Sequence, residues 1–124
     1  DPYIRLPYQF RNFMEFVKLL AEKKDPETEL KLKVITSSSE EYKEEAREAF
    51  NTMIYSLEGM GIILEYELDD FIHDRYILLD NGWKILLGRG LDLWQRTGGW
   101  YDINEYVQEK RVCKSCEVTF INNN

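Results

Sequence analysis

At 124 residues the chain has the length of one domain, and 44% hydrophobic with 14% aromatic content supplies enough material for a core, which excludes global disorder. Its longest apolar runs, such as Ile77-Leu78-Leu79, are far too short to span a bilayer as a helix, and its first residues do not read as a secretory signal. A net charge of −7 and a pI near 4.8 exclude broad adhesion to nucleic acid or anionic lipid, leaving room for a local anion site. From Asn81 to Tyr101 the balance reverses, with Lys84, Arg89 and Arg96 against Asp92 alone. A chain that opens on Asp1 rather than Met is expected to be a domain cut from a longer protein.

Gln9 to Lys23 places Phe10, Phe13, Met14, Val17 and Leu20 at three- and four-residue steps, the stripe of an amphipathic helix, with Pro7 before it and Asp25-Pro26 behind it. Leu30 to Thr36 alternates and then becomes wholly apolar, as a strand does. Ser37 to Ser39 are N-cap candidates for a second helix running to about Met60, and Glu40 to Glu48 is its wet face. Gly59 and Gly61 end it, Ile62 to Leu68 is a strand, and Asp69-Asp70 a turn. Two short strands follow, Arg75 to Leu79 and Trp83 to Leu87, joined by Asp80-Asn81-Gly82. Asn-Gly between apolar runs signals a hairpin, since both residues tolerate positive φ. Leu91 to Trp94 reads as one helical turn or loop, Thr97-Gly98-Gly99 as a flexible link, Glu117 to Ile121 as a closing strand and Asn122 to Asn124 as a frayed end. No repeat and no domain linker interrupts residues 1–124, so the pattern implies a single α/β domain, a mixed β-sheet flanked by helices.

The segment with chemistry is Ile72-His73-Asp74-Arg75-Tyr76-Ile77-Leu78-Leu79-Asp80, of the form H-x-R-x-x-x-x-D, with Gly88 eight residues after the aspartate. On a strand that begins slightly early, His73 and Arg75 share a face and converge on one anion. The imidazole is then nucleophile or acid, the guanidinium clamps two phosphate oxygens, and Asp80 accepts a hydrogen bond that steadies the pair. The competing reading is ordinary structure: a histidine at a strand start and an Asp-Asn-Gly turn. Arg89, between Gly88 and Gly90, either brings a cation and backbone N–H groups to a phosphate or merely follows a turn. Trp83, Trp94 and Trp100 are expected in cores or interfaces. Cys113 and Cys116 form a lone C-x-x-C. With the sole histidine forty positions away and no second pair, they read as ordinary thiols, and no metal and no cofactor is expected.

The H-x-R-x-x-x-x-D skeleton resembles the H-x-K-x-x-x-x-D signature of the phospholipase D superfamily, with arginine in the lysine's place. Asp1-Pro2-Tyr3-Ile4-Arg5, Asn12-Phe13, Phe16, Ile72-His73-Asp74-Arg75, Asn81-Gly82-Trp83-Lys84-Ile85 and Gly88-Arg89-Gly90-Leu91-Asp92 are together similar to one branch, the phospholipase-D-like domain that follows MIT domains. The similarity runs in order over nearly the whole chain. It implies a phospholipase-D-like fold. Superfamily enzymes cleave phosphodiesters with two motif copies, one histidine attacking phosphorus and one protonating the leaving group; the MIT-linked branch is regarded as having lost catalysis, binding membrane phospholipid and dimerising. Asp80 is present here where that branch commonly lacks it.

The resemblance implies a catalytic set of His73, Arg75 and Asp80 if the site is active, and a phosphate-binding set of Arg75, Lys84 and Arg89. The leading expectation is an accessory domain that binds a phosphate-bearing ligand, such as a phospholipid headgroup, and forms a homodimer. Its partner domain lies elsewhere in a longer chain, and its place is the cytoplasm or a membrane periphery. The rivals are an active phosphodiesterase or nuclease working as a symmetric dimer, the one case with a nucleic-acid partner, and a purely structural dimerisation module.

Overall fold

Pro7 opens helix α1 (Pro7–Lys23), two residues before the sequence stripe begins, because a proline at the first helical position loses no intrahelical hydrogen bond. Gln9 completes the start: its buried Oε1 accepts the N–H groups of Arg5 and Leu6 at 3.1 and 3.0 Å. The computed structural model describes residues 1–94, 103 and 107–122, and the chain divides into two units, Asp1–Asp74 and Arg75–Asn124.

In the N-terminal unit, β1 (Leu30–Thr36) and β2 (Ile62–Leu68) pair in parallel, Leu30 opposite Ile62 through Thr36 opposite Leu68. Parallel neighbours need a long crossover, here a 3₁₀ turn (Glu40–Tyr42) followed by α2 (Lys43–Leu57) and a second 3₁₀ turn (Glu58–Met60). Gly61 ends it in the left-handed region at φ 70°, as a helix C-terminus favours. The two-residue period puts Leu32, Val34, Leu64 and Tyr66 on one face of the pair. Phe50 of α2 stacks on Tyr66 at 4.9 Å and receives Phe10 and Phe13 of α1 edge-on at 5.4 and 6.3 Å, so α2 covers that face and α1 packs against its Phe50. Phe13, Val17, Phe50 and Ile62 are all but inaccessible. The other face carries Lys31, Lys33, Glu65 and Glu67, with Lys33 and Glu67 paired at 3.1 Å.

None of the three serines caps the helix with its side chain. Ser39 precedes the 3₁₀ turn without a side-chain cap bond. The Ser37 hydroxyl donates instead to the Pro2 carbonyl at 2.7 Å, and the Ser38 N–H to Asp70 Oδ1 at 3.1 Å. Lys43 spans Glu40 and Asp70 at 2.7 and 3.5 Å, so the acidic turn after β2 fastens the start of the crossover.

The C-terminal unit holds an antiparallel sheet of order β3-β4-β5 (Tyr76–Leu78, Trp83–Leu87, Val118–Asn122). The chain is thus α/β with parallel and antiparallel pairing, the two kinds in separate sheets. The β3–β4 loop is a three-residue one: Leu79 N–H donates to the Trp83 carbonyl at 2.9 Å, and Gly82 N–H to the Leu79 carbonyl at 3.2 Å. Only Gly82 takes positive φ, at 93°; Asn81 instead turns its side chain onto the Trp83 N–H at 3.3 Å. The last strand runs one residue later than its sequence suggests, since Asn122 pairs with Trp83. Leu91–Trp94 is a turn ending in an isolated bridge from buried Trp94 to Cys113. Thr97-Gly98-Gly99 and Trp100 lie outside the described residues.

Candidate functional site

The segment before β3 carries both motif residues, outside the strand itself. His73 is exposed, in no regular element, and makes no hydrogen bond or ion pair among the described residues. Arg75 is half-buried and continues the hairpin by one pair, its carbonyl accepting the Leu87 N–H at 3.0 Å. That bond sets Arg75 opposite Leu87, on the face of Ile77 and Ile85.

Lys84 falls on the other face. It pairs with Leu78, and its Nζ lies 4.3 Å from the centroid of the Tyr76 ring, a cation–π contact. Asp80 sits in the exposed turn at the far end of β3. At a rise of roughly 3.3 Å per residue it is about 16 Å from Arg75, beyond any direct hydrogen bond. The structure therefore does not bring Lys84 or Asp80 to Arg75.

Arg89 lies at the same end of the sheet as Arg75. It lies two residues after the end of β4, in a turn closed by Gly90 N–H on the Leu87 carbonyl at 3.1 Å, with Gly90 at φ 56°. Its Nε donates to the Ser115 carbonyl at 2.7 Å, and Gly88 N–H to the Glu117 carbonyl at 3.0 Å. A Cβ at Gly88 would meet the Glu117 backbone at 3.4 Å, an ordinary van der Waals contact, so space alone does not demand glycine there.

Two cations that sequence reading passed over belong to the loop facing Arg89. Lys114 pairs with Asp92 at 2.9 Å, and its N–H donates to the Leu93 carbonyl at 2.6 Å. Arg111 stands over the Trp94 ring at 5.8 Å. The cluster Lys110-Arg111-Val112-Cys113-Lys114 was the available signal. Cys113 and Cys116 are exposed free thiols in this loop. Arg75 and Arg89 thus belong to the same end of the three-stranded sheet, and a guanidinium is a group suited to bidentate oxygen contact.

The sequence matches the family described as "Phospholipase D-like domain at C-terminus of MIT" over residues 1–122. It is 32% identical over 124 residues to mouse (Mus musculus) MIT domain-containing protein 1. That alignment takes in 99% of this chain and 49% of the relative, so the chain spans about half the length of the curated relative it matches. The chain belongs to the family of phospholipase-D-like domains found at the C-terminus of MIT.

Proposed function

We propose that the chain is an accessory phospholipase-D-like domain that holds a phosphate-bearing ligand at Arg75 and Arg89, pairs with a second copy, and does not catalyse. The ligand class is a phosphate group such as a phospholipid headgroup, and the setting is the cytoplasmic face of a membrane, with a partner domain elsewhere in the longer protein. The observation that carries the binding half is the placement of Arg75 and Arg89 at one end of the sheet, Arg89 held by a carbonyl at 2.7 Å. The non-catalytic half is supported by the chain's sole histidine, His73, and by Asp80 lying about 16 Å of strand from Arg75. A lone nucleophile leaves the departing alkoxide unprotonated, and general-acid help is typically worth ~10²–10⁴ in rate.

Titrating inorganic phosphate into the 15N-labelled chain tests the reading, with vesicles containing phosphatidic acid as the lipid arm. Arg75→Ala and Arg89→Ala are each expected to weaken binding about 10- to 100-fold, the equivalent of ~1.5–3 kcal/mol for a charge-assisted pairing. Lys84→Ala is expected to bind as wild type does. Identical shifts in wild type and Arg75→Ala would remove that arginine from the site. A chromogenic phosphodiester assay beside His73→Ala covers the enzymatic alternative, and turnover that disappears in the variant would replace this reading with the symmetric-dimer phosphodiesterase.

A further inference from the structure

We infer that Cys113 and Cys116 are a reversible dithiol–disulfide pair whose closure releases Arg89 from the Ser115 carbonyl and so weakens the anion site. This rests on the reading of Arg89 as a phosphate ligand and adds the regulation of that site. Both thiols are free and exposed. Only Lys114 and Ser115 separate them, and the chain bends at Ser115. A ring closed over two residues costs little chain entropy, so a mixed disulfide on one thiol meets the other at high effective concentration. A tetrahedral zinc site needs four ligands, and among the described residues the two thiols gather no third from Cys, His, Asp or Glu. Thiol exchange is the chemistry that such a pair can perform alone.

The bonds around the loop carry closure to Arg89. On one side Lys114 N–H donates to the Leu93 carbonyl at 2.6 Å, and Cys113 bridges to Trp94. On the other side Gly88 N–H donates to the Glu117 carbonyl at 3.0 Å, one residue before β5. These bonds pin both ends of the loop to the rest of its unit. Between them the Ser115 carbonyl accepts Arg89 Nε–H at 2.7 Å. That carbonyl belongs to a peptide inside the ring that a Cys113–Cys116 bond would make. A disulfide requires Cα atoms about 4.4–6.8 Å apart and a narrow range of torsion about the sulfurs. With both ends pinned, the adjustment falls on the Ser115–Cys116 peptide, and the ring rather than Arg89 sets its direction.

The oxidant is a low-molecular-weight disulfide of the glutathione class. One cysteine, as thiolate, attacks a sulfur of it and expels a thiolate; the other cysteine attacks the mixed disulfide and expels the second. Two protons pass from the cysteines to the departing thiols, the cysteine sulfurs lose two electrons and the small disulfide gains them. Thiols of the same class run the exchange backwards.

Glutathione disulfide added to the 15N-labelled chain tests the inference, followed by mass spectrometry, by the arginine Nε–Hε signals and by titration of inorganic phosphate. The product is expected to be lighter by two hydrogen atoms. The Arg89 signal, assigned by its loss in Arg89→Lys, should move on oxidation and return with dithiothreitol, while the amide signals of β3 stay in place. Phosphate affinity should fall about 2- to 10-fold, the cost of ordering one long side chain again. Cys113→Ser with Cys116→Ser should show none of these responses. A mixed disulfide that never closes, an Arg89 signal unmoved by closure, or equal phosphate affinity in the two states would overturn the inference and leave the proposed function intact. A reduced chain that binds no phosphate would overturn the proposed function and, with it, the regulation inferred here.

Discussion

The two units solve opposite problems. Up to Asp74 there are nine basic and seventeen acidic side chains, a balance of −8; from Arg75 onward there are seven and six, a balance of +1. Among the described residues the largest side chains under 2% exposed all lie in the N-terminal unit, and its polar groups are spent on its own fastening: Thr36 to Ile4, Ser37 to Pro2, Ser38 to Asp70. Among the described residues, the C-terminal unit buries only Leu91 and Trp94 of its large apolar side chains, while Leu78, Val118 and Phe120 stand open on its sheet. A region with its core closed and its charge negative is poorly suited to an anion. The region with cations at one end is suited to one, which is why the proposed contact falls there.

Phe50→Ala separates the two most sharply. Phe50 is wholly buried between Phe10, Phe13 and Tyr66, so its truncation is expected to cost about 3–5 kcal/mol in urea denaturation. Phe120→Ser in the other unit is expected to change monomer stability by no more than ~0.5 kcal/mol. Comparable losses from the two would show that the second sheet has a core of its own.

A smaller effect is expected at Thr36, 0% exposed, whose hydroxyl accepts the Ile4 N–H at 3.0 Å and donates to the Ile4 carbonyl at 3.3 Å. Thr36→Val keeps the shape and strands both groups, a loss of about 1–3 kcal/mol. Faster amide exchange at Ile4 should accompany it; unchanged exchange there would mean that the pair is not what holds the segment.

The smallest effect concerns Lys43. Its ammonium is held above the ordinary 10.5, first by the hydrogen bond to Glu40 and then, against a modest opposing effect of burial, by the charge of Asp70. A raised folded-state pKa contributes stability that is fully present below the unfolded value and is lost as pH rises through the folded one. The stability gap between wild type and Lys43→Met should therefore stay flat across neutral pH and close only above about pH 10.5. A gap that closes near neutrality would assign it to another group.

Local chemistry made much of the fold legible. Leu30–Thr36 and Ile62–Leu68 alternate because one face meets Phe50 and the other water, and Asp80-Asn81-Gly82 can close only a tight loop. The serines misled because a cap signal is silent about competing acceptors, and Pro2 and Asp70 come from distant parts of the chain. At the candidate site the reach of His73-x-Arg75 was plain, but the separation of Lys84 and Asp80 was not drawn out. It was available: a three-residue loop sets Leu79 opposite Trp83, and counting outward sets Arg75 opposite Leu87 and Lys84 on the other face. The division after Asp74 had no such signal, since neither glycine nor proline marks it.

Arg89 shows how a cation can be immobilised without being cancelled. Lys114 is held by a carboxylate, and the pair is close to neutral at any distance. Arg89 is held by the Ser115 carbonyl, a dipole that occupies one of five N–H donors and leaves the full positive charge in place. The rotamer entropy a free arginine would lose on meeting an anion has then largely been lost in folding. Added salt should screen the attraction of an incoming anion yet leave the aim of the guanidinium unchanged.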